Sequence, residues 1–157
     1  MITLLPHQSM VRSMEFLDEK CLKKQQVEIG QILEIILGKS YLPASFRTVV
    51  PFNPKFLPWQ RHPAILMWRD HTEWLKLYLA CAIGEWCSRG HSPTIDVPAY
   101  DTSLQKPPPF IGLQPFHLSH RAYLIRQNPA YYLRFWPKDR NDDLPLYWPS
   151  DHKEVER

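Results

Sequence analysis

The stretch that decides the fold runs from Leu17 to Lys39 and reads LDEKCLKKQQVEIGQILEIILGK. Its apolar residues recur every three or four positions, which predicts one helix with a stripe that faces a core: Leu22, Ile29, Ile32, Leu33 and Ile36. Asp18 is suited to cap the start of this helix, and Gly38 is suited to end it. At roughly 1.5 Å per residue a helix of about twenty residues crosses a small domain, so we expect it to be the scaffold axis.

Glu28 is an isolated acid in the middle of this helix, among basic and amide residues. Helical spacing puts it on one side with Lys20, Lys24 and Gln31. A carboxylate one turn after Lys24 and three residues after Gln25 suits a catalytic acid or base held among hydrogen-bond donors. It also suits one half of a solvated surface pair, because i,i+4 charge pairs are common on helices. Spacing alone leaves both interpretations open.

The composition indicates a compact helical protein with stiff connections. A length of 157 residues and a hydrophobic content of 44% predict one domain with a real core rather than a disordered chain. We assign this domain to residues 1–150 and expect residues 151–157 to form a frayed tail. Sixteen prolines against five glycines predict long irregular loops instead of tight hairpins. The predicted fold class is all-α, with three main helices and long proline-rich loops.

The predicted helices follow in order along the chain. Ser9 is suited to cap a brief helix that ends before Asp18, where the main helix begins. A second helical region is predicted for residues 62–90, with proline in its first turn. A third helix is predicted for residues 118–127, and Pro129 is suited to start a further turn.

Two proline-rich loops separate these helices. The loop at 40–60 is expected to be ordered, with one extended piece at 48–50. The loop at 92–116 ends in apolar and aromatic residues, so we expect it to lie against the helices. Residues 138–148 are predicted to be irregular.

The cysteines and the lack of membrane signals in the sequence indicate the expected cellular compartment. No apolar run approaches the roughly 18 residues that cross a bilayer, and the opening residues lack the long apolar centre of a secretory signal. Cys21, Cys81 and Cys87 form no paired framework, which favours a reducing compartment. We therefore expect a cytoplasmic protein without a membrane partner, and we expect a monomer.

Several kinds of chemistry have little support in the sequence. His117 and His120 are three residues apart, and Cys87 precedes His91 by four, but neither pair belongs to a four-ligand zinc pattern. No G-x-S-x-G elbow and no glycine-rich phosphate loop is present. We therefore expect no metal and no cofactor.

The segment FHLSHRAYLIRQNPAYYLRFWPKDR, residues 116–140, interleaves cations with aromatic rings. Its cations include His117, His120, Arg121, Arg126, Arg134 and Lys138, and its rings include Tyr123, Tyr131, Tyr132, Phe135 and Trp136. Such a pattern suits a DNA surface, where cations neutralise phosphates and rings stack on bases. It suits equally an aromatic core edged by solvated arginines.

Five motifs in order give a resemblance to a known family: LDEKCLKKQQVE, HPAILMW, EWCSRG, FHLSHRAYLIRQNPAYY and DLPLYWP. Together they resemble the pyrimidine-dimer DNA glycosylase family, which includes phage endonuclease V and bacterial relatives. The similarity is closest to the bacterial branch and covers most of the chain.

The resemblance implies an all-helical domain that binds double-stranded DNA with a damaged or modified base. It implies cleavage of the N-glycosidic bond, with Glu28 as the central catalytic group, and a nucleoid-associated location. In the phage enzyme an N-terminal amine attacks the sugar C1′, forms a Schiff base and allows elimination of the 3′ phosphate. The excised base is expected to be a pyrimidine dimer or another altered pyrimidine, and an abasic-site lyase step is left open.

Departures from the family pattern leave the nucleophile open. The phage enzyme loses its first methionine, whereas the bulky Ile2 here is expected to leave Met1 as the terminus. Val27 stands where the phage enzyme has an arginine, and Cys21 and Gln26 replace arginines of the bacterial pattern. In one mechanism the Met1 amine, or else Lys24 or Lys20, forms the imine. In the other, Glu28 activates water or stabilises an oxocarbenium-like sugar, without lyase activity.

The predicted site therefore has a catalytic and a DNA-binding part. The catalytic part is Glu28, Met1 and Lys24. The DNA-binding part is Lys20, Gln25, His62, His117, His120, Arg121, Arg126, Tyr131, Tyr132 and Trp136, with His120, Arg121 and Arg126 on phosphates and the three rings supporting the distorted strand. The alternative is a noncatalytic DNA-binding module on the same scaffold, and a third class is a nucleoside hydrolase.

Overall fold

The structure is a computed structural model that describes residues 1–43 and 60–156, with side chains as far as residue 152. Six α-helices and no strand are found in these ranges, which confirms the all-α prediction. The helices are α1 (Met10–Phe16), α2 (Glu19–Leu37), α3 (Pro63–Trp68), α4 (Thr72–Ser88), α5 (Gln114–Gln127) and α6 (Pro129–Tyr132). The described residues also include 3₁₀ structure at Thr102–Leu104 and at Pro149–Glu156, which is kinked at His152.

The scaffold helix α2 begins and ends as its sequence predicts. The Asp18 side chain accepts a hydrogen bond from the Cys21 N–H at 2.9 Å, and Gly38 adopts the left-handed conformation at φ 67°. Ser9 caps α1 in the same way through the Arg12 N–H at 3.2 Å. These caps are local signals, and the structure confirms them.

The core-facing stripe of α2 is buried against α4. Leu22, Ile29, Ile32 and Leu33 have no exposed surface, as predicted, whereas Ile36 is half-buried. The helices α2 and α4 form the most extensive helix pair among the described elements, and α1 packs across α4. The guanidinium of Arg89 joins α4 to the end of α1, because it donates to the carbonyl oxygens of Met14, Glu15 and Leu17 at 3.2, 3.2 and 2.7 Å.

The second helical region is two helices rather than the one predicted. Helix α3 ends at Trp68, the His71 N–H bonds to the Trp68 carbonyl at 2.8 Å, and α4 begins at Thr72. The turn lets the Trp68 indole stack on the Tyr78 ring of α4, with ring centroids 6.1 Å apart. Aspartate and histidine at residues 70 and 71 are weak helix formers, so the break costs little there.

The helix α5 begins at Gln114, four residues earlier than predicted, because Pro115 is tolerated in its first turn. The loop before it lies against α4, as expected. Gln105 is its anchor: its side-chain oxygen accepts the Glu73 N–H at 2.8 Å, and its carbonyl accepts the Trp74 indole N–H at 3.2 Å. The expected extended piece at 48–50 lies outside the described residues. No described helix is long and apolar enough to cross a membrane.

Candidate active site

The first six residues, which we call the N-terminal segment, run through the interior and are held by four different helices. Residues 3–6 are buried, although this segment belongs to no helix. From α3 the Trp68 indole N–H donates to the Thr3 hydroxyl at 2.9 Å, and from α4 the Tyr78 hydroxyl donates to the Leu4 carbonyl. The segment is therefore fixed by hydrogen bonds rather than left free as a terminal arm.

Two histidines of α5 hold Leu5 by its backbone. The Leu5 N–H donates to His120 Nδ1 at 2.8 Å, and His117 Nδ1 lies 2.7 Å from the Leu5 carbonyl oxygen. His117 Nε2 accepts the Gly112 N–H at 2.8 Å, so the proton of a neutral His117 ring is on Nδ1. The next residue, Arg121, donates to the Pro6 carbonyl at 2.9 Å and to Asp139 at 2.8 Å.

These contacts require both imidazoles to be neutral. Burial, and to a lesser extent the charge of His117, lower the pKa of His120 to about 3. Burial also lowers the pKa of His117. His117 and His120, which are predicted from the sequence to bind DNA, are only 1% and 3% exposed. Within this structure their ring nitrogens hold the protein's own backbone.

The first residues of the chain form hydrogen bonds with Gln25 and Glu28 in the middle of α2. The Ile2 N–H donates to Glu28 Oε2 at 3.1 Å. Gln25 brackets the same backbone, since its amide nitrogen donates to the Ile2 carbonyl at 3.0 Å and its oxygen accepts the Leu4 N–H at 2.9 Å. The Gln25 amide nitrogen also lies 3.4 Å from Glu28 Oε2. Glu28 thus has two donors on one oxygen.

The other oxygen of Glu28 faces the charged side of α2. Oε1 lies 3.8 Å from Lys24 Nζ, and the Lys24 side chain is 66% exposed while that of Glu28 is 11% exposed. The Glu28 carboxylate is therefore largely buried, with Lys24 on its solvent side, and it is not half of a fully solvated pair. Lys20, one turn before Lys24, is also exposed.

The α-amine of Met1 lies in the same neighbourhood. Covalent geometry keeps its nitrogen within about 3.7 Å of the Ile2 nitrogen, and the Ile2 N–H is hydrogen-bonded to Glu28. His62 lies close enough for the charge of the α-amine to act on it: burial, and then that charge, lower the pKa of His62. His62 Nδ1 also accepts the Ala64 N–H at 3.1 Å and so caps α3. The structure brings together Met1, Lys24, Gln25, Glu28 and His62.

The remaining predicted DNA-binding residues lie in a second region around α6. Arg126 donates to the carbonyls of Asn141 and Leu144 at 2.9 and 3.0 Å, so its guanidinium fastens the irregular segment after α6. Tyr132 is fully buried, and its hydroxyl accepts the Asp18 N–H at 3.0 Å at the start of α2. Trp136 stacks on Tyr132 with the two rings parallel, and Tyr131 is half-buried.

The outer edge of this region consists of residues that are not among the predicted site residues. Phe135 is 39% exposed, and the Arg134 guanidinium lies over the Tyr131 and Phe135 rings at 4.5 and 5.2 Å. Phe16 of α1 packs on Trp136 with centroids 5.0 Å apart. Arg134 and Phe135 belong to the quoted basic and aromatic segment, so the signal was present. Phe16 is contributed by another helix, and no local pattern reveals it.

The site offers a carboxylate, an amine and uncharged hydrogen-bond donors. In the described part of the chain no group of three or more His, Cys, Asp or Glu side chains is arranged to hold a metal ion. A buried carboxylate next to an amine can carry out acid–base catalysis and imine formation. Fold and site together define an all-α protein whose N-terminal segment is clamped beside a helical glutamate.

Comparison with known proteins names the family. The family model described as pyrimidine dimer DNA glycosylase matches residues 1–98, which is 98 of the 157 residues and includes Glu28 and the N-terminal segment. The chain belongs to the pyrimidine dimer DNA glycosylase family, a family of enzymes that act on DNA. Neither the curated proteins nor the solved structures gave a significant match.

Proposed function

We propose that this protein cleaves the N-glycosidic bond of a pyrimidine dimer, or of a closely similar altered pyrimidine, in duplex DNA, with Glu28 and the N-terminal amine as the reacting pair. One observation carries the proposal: the buried Glu28 carboxylate accepts the Ile2 N–H at 3.1 Å. Nothing in a scaffold role for α2 requires a carboxylate in contact with the first residues of the chain. A general acid or base needs to be near the reacting nitrogen, and the hydrogen bond from the Ile2 N–H supports that role for Glu28 because the α-amine is one residue away.

The first step replaces the base by the amine. The lone pair of the neutral α-amine attacks the sugar C1′, the C1′–N bond breaks, and its electron pair leaves with the base, which takes a proton. The nitrogen attached to C1′ is now positively charged and must lose a proton before the imine can form. The Glu28 carboxylate accepts that proton and returns it to the ring oxygen O4′ as the nitrogen lone pair forms the C=N bond and the C1′–O4′ bond opens, which leaves a protonated imine.

The second step is the lyase reaction. The protonated imine acidifies the C2′ proton, and removal of that proton gives an enamine with a C1′–C2′ double bond. The electron pair of this bond then forms a C2′–C3′ double bond conjugated with the re-formed imine, as the C3′–O bond breaks with its electron pair on the phosphate. Hydrolysis of the imine by water then restores the amine. This step needs the same amine, so glycosylase and lyase activities fall together when the amine is blocked.

The contacts favour the N-terminal amine over the two lysines. The N-terminal segment is fixed by Trp68, Tyr78 and the α5 histidines, and fixed geometry is what a nucleophile requires. Lys24 is largely exposed, and its ammonium is 3.8 Å from Glu28 Oε1, so it serves better to bind a phosphate beside the carboxylate. We assign the same role to Lys20. A water activated by Glu28 stays as the alternative nucleophile.

The DNA strands are proposed to contact two surfaces. The first is the exposed Lys20 and Lys24 side of α2 with His62. The second is the edge around α6, where Tyr131, Trp136 and the adjoining Phe135 and Arg134 combine rings with a guanidinium, as strands with unstacked bases require. Six of the predicted DNA-binding residues are proposed to serve DNA binding indirectly, because the side chain of each holds a segment of the protein. They are Gln25, His117, His120, Arg121, Arg126 and Tyr132.

A panel of DNA substrates tests the proposed reaction. We expect base release and strand cleavage on a duplex with one pyrimidine dimer, strand cleavage on an abasic duplex, and neither on an undamaged duplex. Base release here means cleavage of one N-glycosidic bond, after which a base of a dimer has left its sugar but stays joined to the neighbouring pyrimidine. The alternative, a noncatalytic DNA-binding module, predicts salt-sensitive binding without base release. Release of base from free nucleosides but not from duplex DNA would indicate a nucleoside hydrolase and would overturn the proposal.

A further inference from the structure

The side chain of Gln25 holds the backbone of the N-terminal segment at two points. Its amide nitrogen donates to the Ile2 carbonyl at 3.0 Å, and its oxygen accepts the Leu4 N–H at 2.9 Å. A flipped amide would place donor against donor and acceptor against acceptor, so these two hydrogen bonds fix which way the amide points. Gln25 is 1% exposed, and water therefore does not compete for either contact.

Gln25 also contacts the Glu28 carboxylate. The two residues are three positions apart on α2, which puts their side chains on the same face of the helix. The Gln25 amide nitrogen carries two N–H groups, and besides the Ile2 carbonyl it lies 3.4 Å from Glu28 Oε2. The same oxygen accepts the Ile2 N–H at 3.1 Å. Both donors are therefore on Oε2, which leaves Oε1 as the oxygen of Glu28 that takes up a proton.

Within the described residues, Gln25 and Glu28 are the two side chains that form hydrogen bonds with the backbone of Ile2. The next anchor of the N-terminal segment is the Thr3 hydroxyl, one residue further along the chain. Each residue has two soft backbone dihedral angles, so rotations at Ile2 and Thr3 move the α-amine relative to α2. Without Gln25, the carboxylate that moves protons would also be the only side chain of α2 that holds Ile2.

We propose that Gln25 is a positioning residue that sets the geometry between the α-amine and Glu28 during base release. The inference rests on the proposed function and gives Gln25 a part in the reaction itself. An amide suits this task because it offers a donor and an acceptor at once and adds no charge beside the amine, which neither lysine nor glutamate does. A displacement of about 1 Å in such a pair can cost about 10²-fold in rate.

The variants Gln25→Met and Gln25→Asn test this role. Methionine has nearly the same length but forms neither hydrogen bond, whereas asparagine keeps the amide and is one methylene too short to reach both backbone groups. Single-turnover base release from a dimer-containing duplex is expected to fall about 10- to 100-fold in each variant. Affinity for the same duplex is expected to change by less than about threefold, because the lost contacts act on the reacting pair. The second variant serves if the first does not fold.

The matched control is Gln26→Met, the same substitution one residue along α2. Gln26 is 3% exposed, and its amide nitrogen donates to the Leu22 carbonyl at 3.3 Å, within the helix. We expect Gln26→Met to release base at the wild-type rate. Urea unfolding of both methionine variants measures what each loses in stability. If Gln26→Met is slowed as much as Gln25→Met, the loss comes from a disturbed helix, and the proposal is overturned.

A double variant separates positioning from a general structural effect. Glu28→Gln combined with Gln25→Met is expected to be as slow as Glu28→Gln alone, because no carboxylate is left for the amine to be positioned against. A double variant in which the two losses multiply would show that Gln25 acts independently of Glu28, and would overturn the inference. Wild-type rates in Gln25→Met and Gln25→Asn would overturn it as well, with the proposed function intact. If the wild type itself releases no base, the proposed function fails, and this inference falls with it.

Discussion

The substitution Glu28→Gln is expected to lower the rate of base release from a dimer-containing duplex about 10²- to 10⁴-fold, the contribution usual for a general acid or base. Glutamine has the same shape, and its oxygen still accepts the Ile2 N–H that Glu28 accepts at 3.1 Å. In the proposed mechanism, the variant loses the ability to take a proton from the attacking nitrogen and to return it to O4′. The measurement is single-turnover base release with enzyme in excess.

The matched control for this experiment is Glu34→Gln. Glu34 is on the same helix, is 3% exposed, and accepts the N–H groups of Tyr41 and Leu42 at 2.8 Å each. The two substitutions thus remove one buried carboxylate charge from α2 at different positions. We expect Glu34→Gln to keep the wild-type rate of base release and Glu28→Gln to keep wild-type affinity for DNA. Equal base release by wild type and Glu28→Gln would remove Glu28 from the mechanism.

Acidification from pH 7.5 to pH 5 is expected to destabilise the protein through His120. The pKa of His120 is about 3 in the folded protein and lies near 6.5 in the unfolded chain. Its stabilising contribution is complete above pH 6.5 and is lost as the pH falls toward 3, because only the unfolded chain takes up the proton. At pH 5 this one residue lowers the free energy of unfolding by about 2 kcal/mol. His117, whose pKa is also lowered, adds to the loss.

The variant His120→Asn isolates this effect. The asparagine oxygen takes the place of Nδ1 as acceptor for the Leu5 N–H but carries no titratable proton. Its smaller side chain lowers stability by a constant amount, so the pH slope is compared rather than the absolute value. Urea unfolding at several pH values between 5 and 7.5 should show a shallower slope for His120→Asn. An unchanged slope would show that His120 titrates normally and does not hold the N-terminal segment as a neutral ring.

The features that the sequence predicted correctly are those set by neighbours along the chain. Asp18 and Gly38 delimit α2 because a cap depends on residues three or four positions away, and Pro129 starts α6 for the same reason. The apolar stripe of α2 followed from its period. The break at residues 69–71 was missed because it depends on the stacking of Trp68 on Tyr78, a contact between two helices.

The site itself depends on contacts between distant parts of the chain. Spacing alone did not decide whether Glu28 has a catalytic or a surface role. The residues near it in sequence do not indicate that it accepts a hydrogen bond from Ile2, which is 26 residues away. The Leu5 contact with His120 spans 115 residues. A histidine three residues from another on α5 looks the same in sequence whether it faces DNA or a buried backbone. Only the packing of α5 against the N-terminal segment distinguishes the two.

The central claim is that the N-terminal amine beside Glu28 is the nucleophile, and borohydride trapping on a dimer-containing duplex tests it most directly. Borohydride reduces an imine to a stable amine, and peptide mapping of the cross-linked protein by mass spectrometry then identifies the attached residue. Intact-mass measurement on the same sample establishes whether that residue is Met1. We predict one cross-link, on the nitrogen of the N-terminal residue. A cross-link on Lys24 or Lys20, or base release without any cross-link, would contradict the claim.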